Sequence, residues 1–531
     1  MQGNQIVALQ TLARDGDQMY RKTPDSQLAF EDFYLPFGGK LSRKNRWVRL
    51  ACIIPWDLAE SFYSEQFSQN PQGPSAKPAR LALGALIIKE RLGVSDEEAV
   101  EQIRENPYLQ YFLGFHEFRD QAPFDPSMYV HFRKRFSLEQ LGQINEAIVK
   151  VEHSPKQSEE SSGPDDDNDN DTPSDGNRGK LLIDATCAPA DIRYPTDISL
   201  VNEAREKSEQ IIDALFEPLK GTCPKPRTYR QKARRQFLSY AKTRKRSSHQ
   251  RRKALGQQLR FLGRNLKTIG QLAEQTPLTH LDRRQYRNLL VIQELYRQQQ
   301  WMFENRCHRI SGRIVSISQP HVRPIVRGKA SAPVEFGAKL SASVVDGAVF
   351  LDRLDWDPYN ESGDLVAQVK AYKQRFGCYP ASVHCDTIYR THENRKFCKK
   401  HNIRMSGPPL GRPPKQTAEN AQELRDRKHQ RRQDEIDRIP IEGKFGQGKR
   451  RFGLDRIMAK LPETSETVMA TIFIVMNLEK WLQKLFFALF LCWWSARKQL
   501  LNVLWGDTAL KRQTLQLNGL PRPLRVFCQR A

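Results

Sequence analysis

A short apolar run, Leu181-Leu182-Ile183, ends in Asp184, and the next β-patterned segment begins only after Pro333. The sequence between them is helical and strongly basic, so a sheet that uses both must admit a large insertion after its first strand. Strand patterning resumes with Lys339-Leu-Ser-Ala-Ser-Val-Val, a hairpin turn at Asp346-Gly347 and a returning strand from Ala348. Leu365, Val366, Val369 and Tyr372 then mark an amphipathic helix that Gly377 ends. Ala381 to Cys385 reads as another strand, followed at once by Asp386, and a helix from about His392 to Lys400 leads to a short strand near Ile403. The order implies an α/β fold with Asp184 and Asp386 at the ends of two strands, where open α/β sheets place their sites.

The interruption carries its own message. From Gly221 to Ala273 there is no aspartate or glutamate, while Arg234, Arg235, Arg244, Lys245 and Arg246 crowd its first part with Tyr229, Phe237 and Tyr240 among them. A solvated helical face normally mixes both signs, so an acid-free stretch with interleaved aromatics points to nucleic acid. The whole chain agrees, with 85 lysines and arginines against 61 acids and a formal charge of +24, a field that favours polyanionic partners.

Ahead of the sheet, residues 1–153 read as all-helical. Leu81, Leu83, Leu86, Ile87 and Leu92 recur at helical spacing, Gly93 stops that helix, and Ser95 with Glu98 makes a capping box that opens the next. Such a pair suits a DNA-reading helix-turn-helix or an ordinary helical hairpin. Met128 to Phe136, with Arg133 and Lys134, suits a phosphate-contacting helix or a plain amphipathic one. Residues 154–180 turn to Ser, Asp, Asn, Gly and Pro and read as a disordered acidic linker. At the far end, Thr467 to Trp505 is apolar but interrupted by Glu479, Lys480 and Lys484, leaving runs short of the ~20 residues a membrane span needs. A buried C-terminal helical pair is expected, packed on the core or on a second subunit. Nine scattered cysteines without C-x-x-C pairs fit a reducing, cytoplasmic setting. Cys378, Cys385 and Cys398 lie near His384, His392 and His401, but their spacings repeat no zinc framework, and buried thiols are expected instead.

Two aspartates side by side in so basic a protein offer a divalent-metal site facing a phosphodiester, since carboxylates are the hard ligands Mg²⁺ prefers. Such chemistry needs a third acid, and Glu442 is the candidate. The run Arg438-Ile-Pro-Ile-Glu442-Gly-Lys-Phe-Gly-Gln-Gly-Lys449 resembles the R-x3-E-x6-K signature of bacterial insertion-sequence transposases of the DDE type, with Glu435 where the fuller form has tyrosine. Asp184 to Asp197 is similar to that family's first-aspartate block. His384-Cys-Asp386-Thr-Ile-Tyr-Arg and Gly407 to Lys415 are similar to its second-aspartate region. The glycines around Glu442 argue against a helix there and for close approach to DNA backbone, although Pro440 suits a helix's first turn.

The resemblance implies an RNase H-like mixed sheet, interrupted by the basic helical insertion and preceded by a helical DNA-binding domain. It divides the chain into 1–153, the linker 154–180, a first core part 181–199, the insertion 200–332, a second core part 333–460 and apolar C-terminal helices 461–531. It implies catalytic and metal-binding Asp184, Asp386 and Glu442, to which two-metal chemistry assigns two Mg²⁺ or Mn²⁺ ions and phosphate contacts from Arg438 and Lys449, while the charge patterning adds DNA contacts from Arg133, Lys134, Arg234, Arg235, Arg244, Lys245 and Arg246. Its partners are then double-stranded DNA, as terminal inverted repeats and target, and further copies of the chain as a homodimer or larger assembly, with no membrane and a nucleoid-associated cytoplasmic location. The alternative is a catalytically inactive DNA-binding descendant of such an enzyme.

Overall fold

The computed structural model describes residues 33–35, 39–67, 75–153, 176–326, 334–408, 411, 417 and 420–505. The expected acidic linker lies outside them up to residue 175, as does most of the Gly407 to Lys415 block. By its contacts the chain divides into two compact units, 1–477 and 478–531.

Among the described residues, seven helices precede the sheet: α1 (Arg46–Ala51), α2 (Trp56–Ser64), α3 (Ala79–Leu92), α4 (Asp96–Glu105), α5 (Pro107–Phe112), α6 (Met128–Lys134) and α7 (Leu138–His153). Helix α3 is apolar nearly all round and is buried along most of its length, as such patterning requires. Gly93 ends it in the left-handed region at φ 68°, where a side chain costs energy. Ser95 then caps α4 by accepting from the Glu98 backbone N–H. The Glu98 carboxylate does not reach back to Ser95 but accepts from Gln102 at 2.8 Å, so only the first half of the expected capping box forms.

Six strands form one mixed sheet: β1 (Lys180–Pro189), β2 (Arg323–Val326), β3 (Val334–Val345), β4 (Ala348–Asp355), β5 (Ser382–His384) and β6 (Arg404–Met405). The order is β2-β3-β1-β5-β6, with β4 also on β3. Strand β3 is long enough for β2 and β4 to share one edge in succession, at Val334 to Gly337 and at Lys339 to Val345. β1 runs antiparallel along β3's other edge and parallel to β5. Asp346 and Gly347 make the expected hairpin turn with φ of 48° and 79°, the consecutive positive values that asparagine, aspartate and glycine tolerate. Gly337 answers a different need, since a Cβ there would lie 2.0 Å from the Ala188 carbonyl oxygen of β1. Strand also resumes earlier than the patterning suggested, inside the expected insertion bounds: β2 is four residues long, too short for alternation to mark.

One face of the sheet buries Leu181, Ile183, Val345, Phe350, Val383 and Cys385 against Leu365, Val369, Tyr372 and Cys398. These last four come from α12 (Leu365–Phe376) and α13 (His392–Lys400), the helices expected from the sequence. The insertion has its own core, in which Val201, Ile212, Leu262, Ile292 and Leu295 meet. It is built from α8 (Asp197–Phe216), α10 (Ser248–Ala273) and α11 (Arg283–Glu304), with α9 (Arg230–Lys242) alongside.

Two long helices close the described chain, and both correct the sequence reading. Glycine content argued against a helix around Glu442, yet α14 (Ala421–Arg451) runs unbroken through Pro440, Gly443, Gly446 and Gly448. Tertiary packing overrides propensity there. Ile441 and Phe445 are buried, and a Cβ on Gly448 would come within 3.2 Å of Leu454 and 3.3 Å of the Met476 sulfur. The expected C-terminal pair is a single helix, α15 (Pro462–Trp505), because Glu479, Lys480 and Lys484 interrupt hydropathy but not helix geometry. Its first part is tied to the first unit. Thr467 donates to the Arg133 carbonyl at 2.7 Å, and Asn477 donates to Asn145 of α7 and to the Val349 carbonyl of β4, both at 2.8 Å. Among the described residues, no helix is long and apolar enough to cross a membrane.

Candidate active site

Strand register brings the two aspartates together. Leu182 of β1 lies opposite His384 of β5 in the parallel pair, and each aspartate follows its strand partner by two residues. Contrary to expectation, Asp184 is not at the end of its strand, because β1 continues to Pro189, whereas Asp386 follows the end of β5 by two residues in extended backbone. The register still sets the two at the same level and on the same side, as a period of two dictates. That side faces α14. On α14, Arg438, Glu442 and Lys449 fall within about 40° of one another around the axis, at 100° per residue. A spacing of three and six intervening residues is one stripe only when the segment is a helix.

Arg438 joins the groups. One guanidinium nitrogen is 3.0 Å from Glu442 Oε1, and the other is 3.8 Å from Asp386 Oδ1. The carboxylates of Asp386 and Glu442 are more than half exposed, at 55% and 56%, so ligands reach them. Asp184 is more enclosed. Burial pushes its carboxyl up to about 6, opposed by the Ala185 N–H and the nearby Arg438 and reinforced by the negative charges of Glu361 and Asp386. Glu361 was not singled out in the sequence. It sits in a single turn before α12 and pairs with Lys339 at 2.8 Å, and no motif or strand end marks it.

A group containing one deep-seated carboxylate and two accessible ones suits hard divalent cations, whose positive charge offsets the cost of ionising a buried acid. Arg438 touches two of the three carboxylates and lowers the pKa of the third. Three acids gathered around one guanidinium leave negative charge for metal to balance. The donor set is of the hard oxygen type that Mg²⁺ or Mn²⁺ takes, although its three carboxylates do not all lie within 4.8 Å of one another.

The other candidate residues separate into accessible and committed groups. Lys134, Arg234, Arg235, Arg244, Lys245 and Arg246 are exposed. Arg246 also caps α9, donating to the Ala241 and Thr243 carbonyls at 2.7 and 2.8 Å and covering the Tyr240 ring. Arg133 is a correction. It is 6% exposed, binds both oxygens of Asp96 and lies over Tyr129, so its charge holds α6 to α4 and is withheld from DNA. Two further acids of the Asp184 to Asp197 block are taken up in ion pairs, Asp191 with Arg456 at 2.7 Å and Asp197 with Arg313 at 2.6 Å.

The sequence reading also missed a second cluster. His384, Asp434 and Asp437 each offer a ligand atom, all within 4.8 Å of one another. About fifty residues separate the histidine from the aspartates, and only the packing of α14 on β5 unites them. Cys385 and Cys398 are buried thiols, as expected, pushed up to about 12 and about 11 by desolvation, whereas Cys378 is only half-buried.

Comparison with known proteins gives two family matches. Residues 36–135, spanning most of the N-terminal helices, match a family described as "Transposase domain", and residues 383–479, which include Asp386, Arg438 and Glu442, match one described as "Transposase DDE domain". Over 104 residues the chain is 38% identical to "Uncharacterized protein ORF8 in nfe locus" of Rhizobium meliloti, an overlap that is 20% of this chain and 49% of that protein. The chain thus spans about half the length of that relative. No solved structure matches.

Proposed function

From two separate matches that make this chain a relative of insertion-sequence DDE transposases, we propose that it is a DNA transposase that binds the terminal inverted repeats of its element, cleaves there and joins the ends to target DNA. The observation that carries the proposal is the convergence of Asp184, Asp386 and Glu442 around Arg438. The β1, β3, β4 meander continued by parallel β5 and β6 is the strand arrangement expected of an RNase H-like core, with the helical insertion after β1.

In this reading Asp184, Asp386 and Glu442 hold the divalent cations, two per site. Bound there, such ions activate the attacking water or 3′-hydroxyl and stabilise the leaving oxygen. Arg438 holds the Glu442 carboxylate in place and limits the repulsion among the acids. Lys449, two turns further along the same stripe, lies toward the flanking strand as a point charge for phosphate. Exposed Arg234, Arg235, Arg244 and Lys245 of the insertion, with Lys134 of α6, engage the DNA backbone. Because two element ends are processed together, a homodimer or larger assembly is the working form.

The test is cleavage and joining of labelled DNA carrying the element's ends, with Mg²⁺ or Mn²⁺. Asp184→Asn, Asp386→Asn and Glu442→Gln should each abolish chemistry and leave DNA binding intact. Specific binding by the wild type without cleavage under either metal would overturn the catalytic reading and leave an inactive DNA-binding relative.

A further inference from the structure

We infer that His384, Asp434 and Asp437 form a second metal site, for a transition-metal divalent cation of the zinc class, which clamps α14 to β5 beside the candidate active site. This does not depend on the transposase reading. The three donor atoms already lie within 4.8 Å of one another, and His384 Nδ1 is 3.8 Å from Asp434 Oδ1. That is beyond a hydrogen bond and near the separation of two ligands on one ion.

The histidine supplies the independent sign of a ligand. Its side chain is fully buried at 0% exposure, and Nδ1 has no hydrogen-bond partner. Nε2 is held by the Ser382 hydroxyl at 3.0 Å. Metal-binding histidines are oriented this way, with the second ring nitrogen engaged elsewhere. In the tautomer whose Nε2–H donates to Ser382, the Nδ1 lone pair faces two carboxylates, an arrangement that a cation relieves.

The aspartates are held ready on their own helix. Gln430 donates to Asp434 Oδ1 at 3.1 Å and Gln433 to Asp437 Oδ1 at 2.9 Å. Their present counter-ions come from the surface: Arg404 reaches Asp434 at 2.9 Å and Lys180 reaches Asp437 at 2.6 Å, with side chains 44% and 56% exposed. Exposed partners of this kind contribute little binding free energy and swing readily into solvent, so a divalent ion displaces them. One imidazole nitrogen with two carboxylate oxygens selects Zn²⁺, Mn²⁺ or Co²⁺ over Mg²⁺, which takes oxygen donors. The site is separate from the acid triad. Asp437 precedes Glu442 by five residues, about 140° around the helix.

The test uses metal-free full-length protein titrated with Co²⁺, read by its visible absorption and by equilibrium dialysis. Wild type should bind Co²⁺ with a histidine-ligated spectrum. His384→Gln and Asp437→Asn should weaken the binding that gives the histidine-ligated spectrum at least ~10-fold, whereas Asp184→Asn and Glu442→Gln leave that spectrum and its affinity in place. Arg404→Gln should tighten it, since a competing cation is gone; a purely structural ion-pair cluster predicts destabilisation without metal rescue. Circular dichroism checks folding, and Asp437→Asn, at a partly exposed position, carries the test if His384→Gln does not fold. Binding unchanged in both ligand variants, loss confined to the triad variants, or no Co²⁺ uptake by folded protein overturns the inference.

Discussion

Replacing Asp184 by asparagine should stabilise the metal-free protein. The carboxyl is held at about 6 by burial, against an ordinary 3.8. At about 1.4 kcal/mol for each pKa unit, that difference corresponds to about 3 kcal/mol. Because the folded value is raised, the associated stability is fully present below pH 3.8, where both states are protonated, and is lost as pH rises through 6 and the folded chain must ionise an enclosed acid. Asparagine copies the neutral acid and does not titrate. In EDTA at pH 8, Asp184→Asn should therefore exceed wild type by up to about 3 kcal/mol, a Tm gain of ~6–12 °C if the core melts as a unit of 150–250 residues. The gain should narrow as pH falls toward 4. Mn²⁺ should then reverse the order, since cation binding stabilises only the chain that can hold it. Thermal melts of both proteins at pH 5, 6.5 and 8, with and without Mn²⁺, measure all of this. Equal stability at pH 8 in EDTA, or a less stable variant, would refute the reasoning.

Arg438→Gln removes the guanidinium that joins Glu442 and Asp386; DNA cleavage should fall on the order of 10²-fold with little loss of DNA binding, and Arg438→Lys should recover part of it. Removing that positive charge should also raise the Asp184 pKa further, moving the acid limb of the cleavage pH profile upward, which a rate–pH series reads directly. Gly337→Ala forces a Cβ against the Ala188 carbonyl and should cost more than ~2 kcal/mol in denaturant unfolding, whereas Gly443→Ala, with open space around it, should cost nothing or stabilise α14 slightly. The triple substitution Arg234→Ala, Arg235→Ala, Lys245→Ala should flatten the dependence of log DNA affinity on log salt by up to ~2.7, at ~0.9 for each phosphate no longer neutralised; an unchanged slope would place DNA elsewhere.

Much of the sheet was legible because its signals are local. The Asp346-Gly347 turn, the Gly377 helix stop and the His392–Lys400 helix all sit where short-range pattern puts them. The failures are equally specific. Pattern could not see β2, four residues long, nor that buried contacts of Ile441, Phe445 and Gly448 hold a glycine-rich segment in a helix. It read Arg133 by its charge, while its partner Asp96 lies on another helix.

The sequence by itself determined the residue types and the spacings. It placed an acid directly after each of two short apolar runs, put arginine, glutamate and lysine at helix-compatible intervals, and concentrated positive charge in one insertion. Those features are readable because strand and helix periods are properties of the local backbone. Tertiary structure alone decided which charges are spent and which are accessible. Packing α14 across β1 and β5 sets Arg438 between Glu442 and Asp386 and encloses Asp184, and it also gathers His384, Asp434 and Asp437 from distant parts of the chain. Ionisation and metal affinity depend on the distance to other charges and on exclusion of water, and neither quantity exists until the chain has folded.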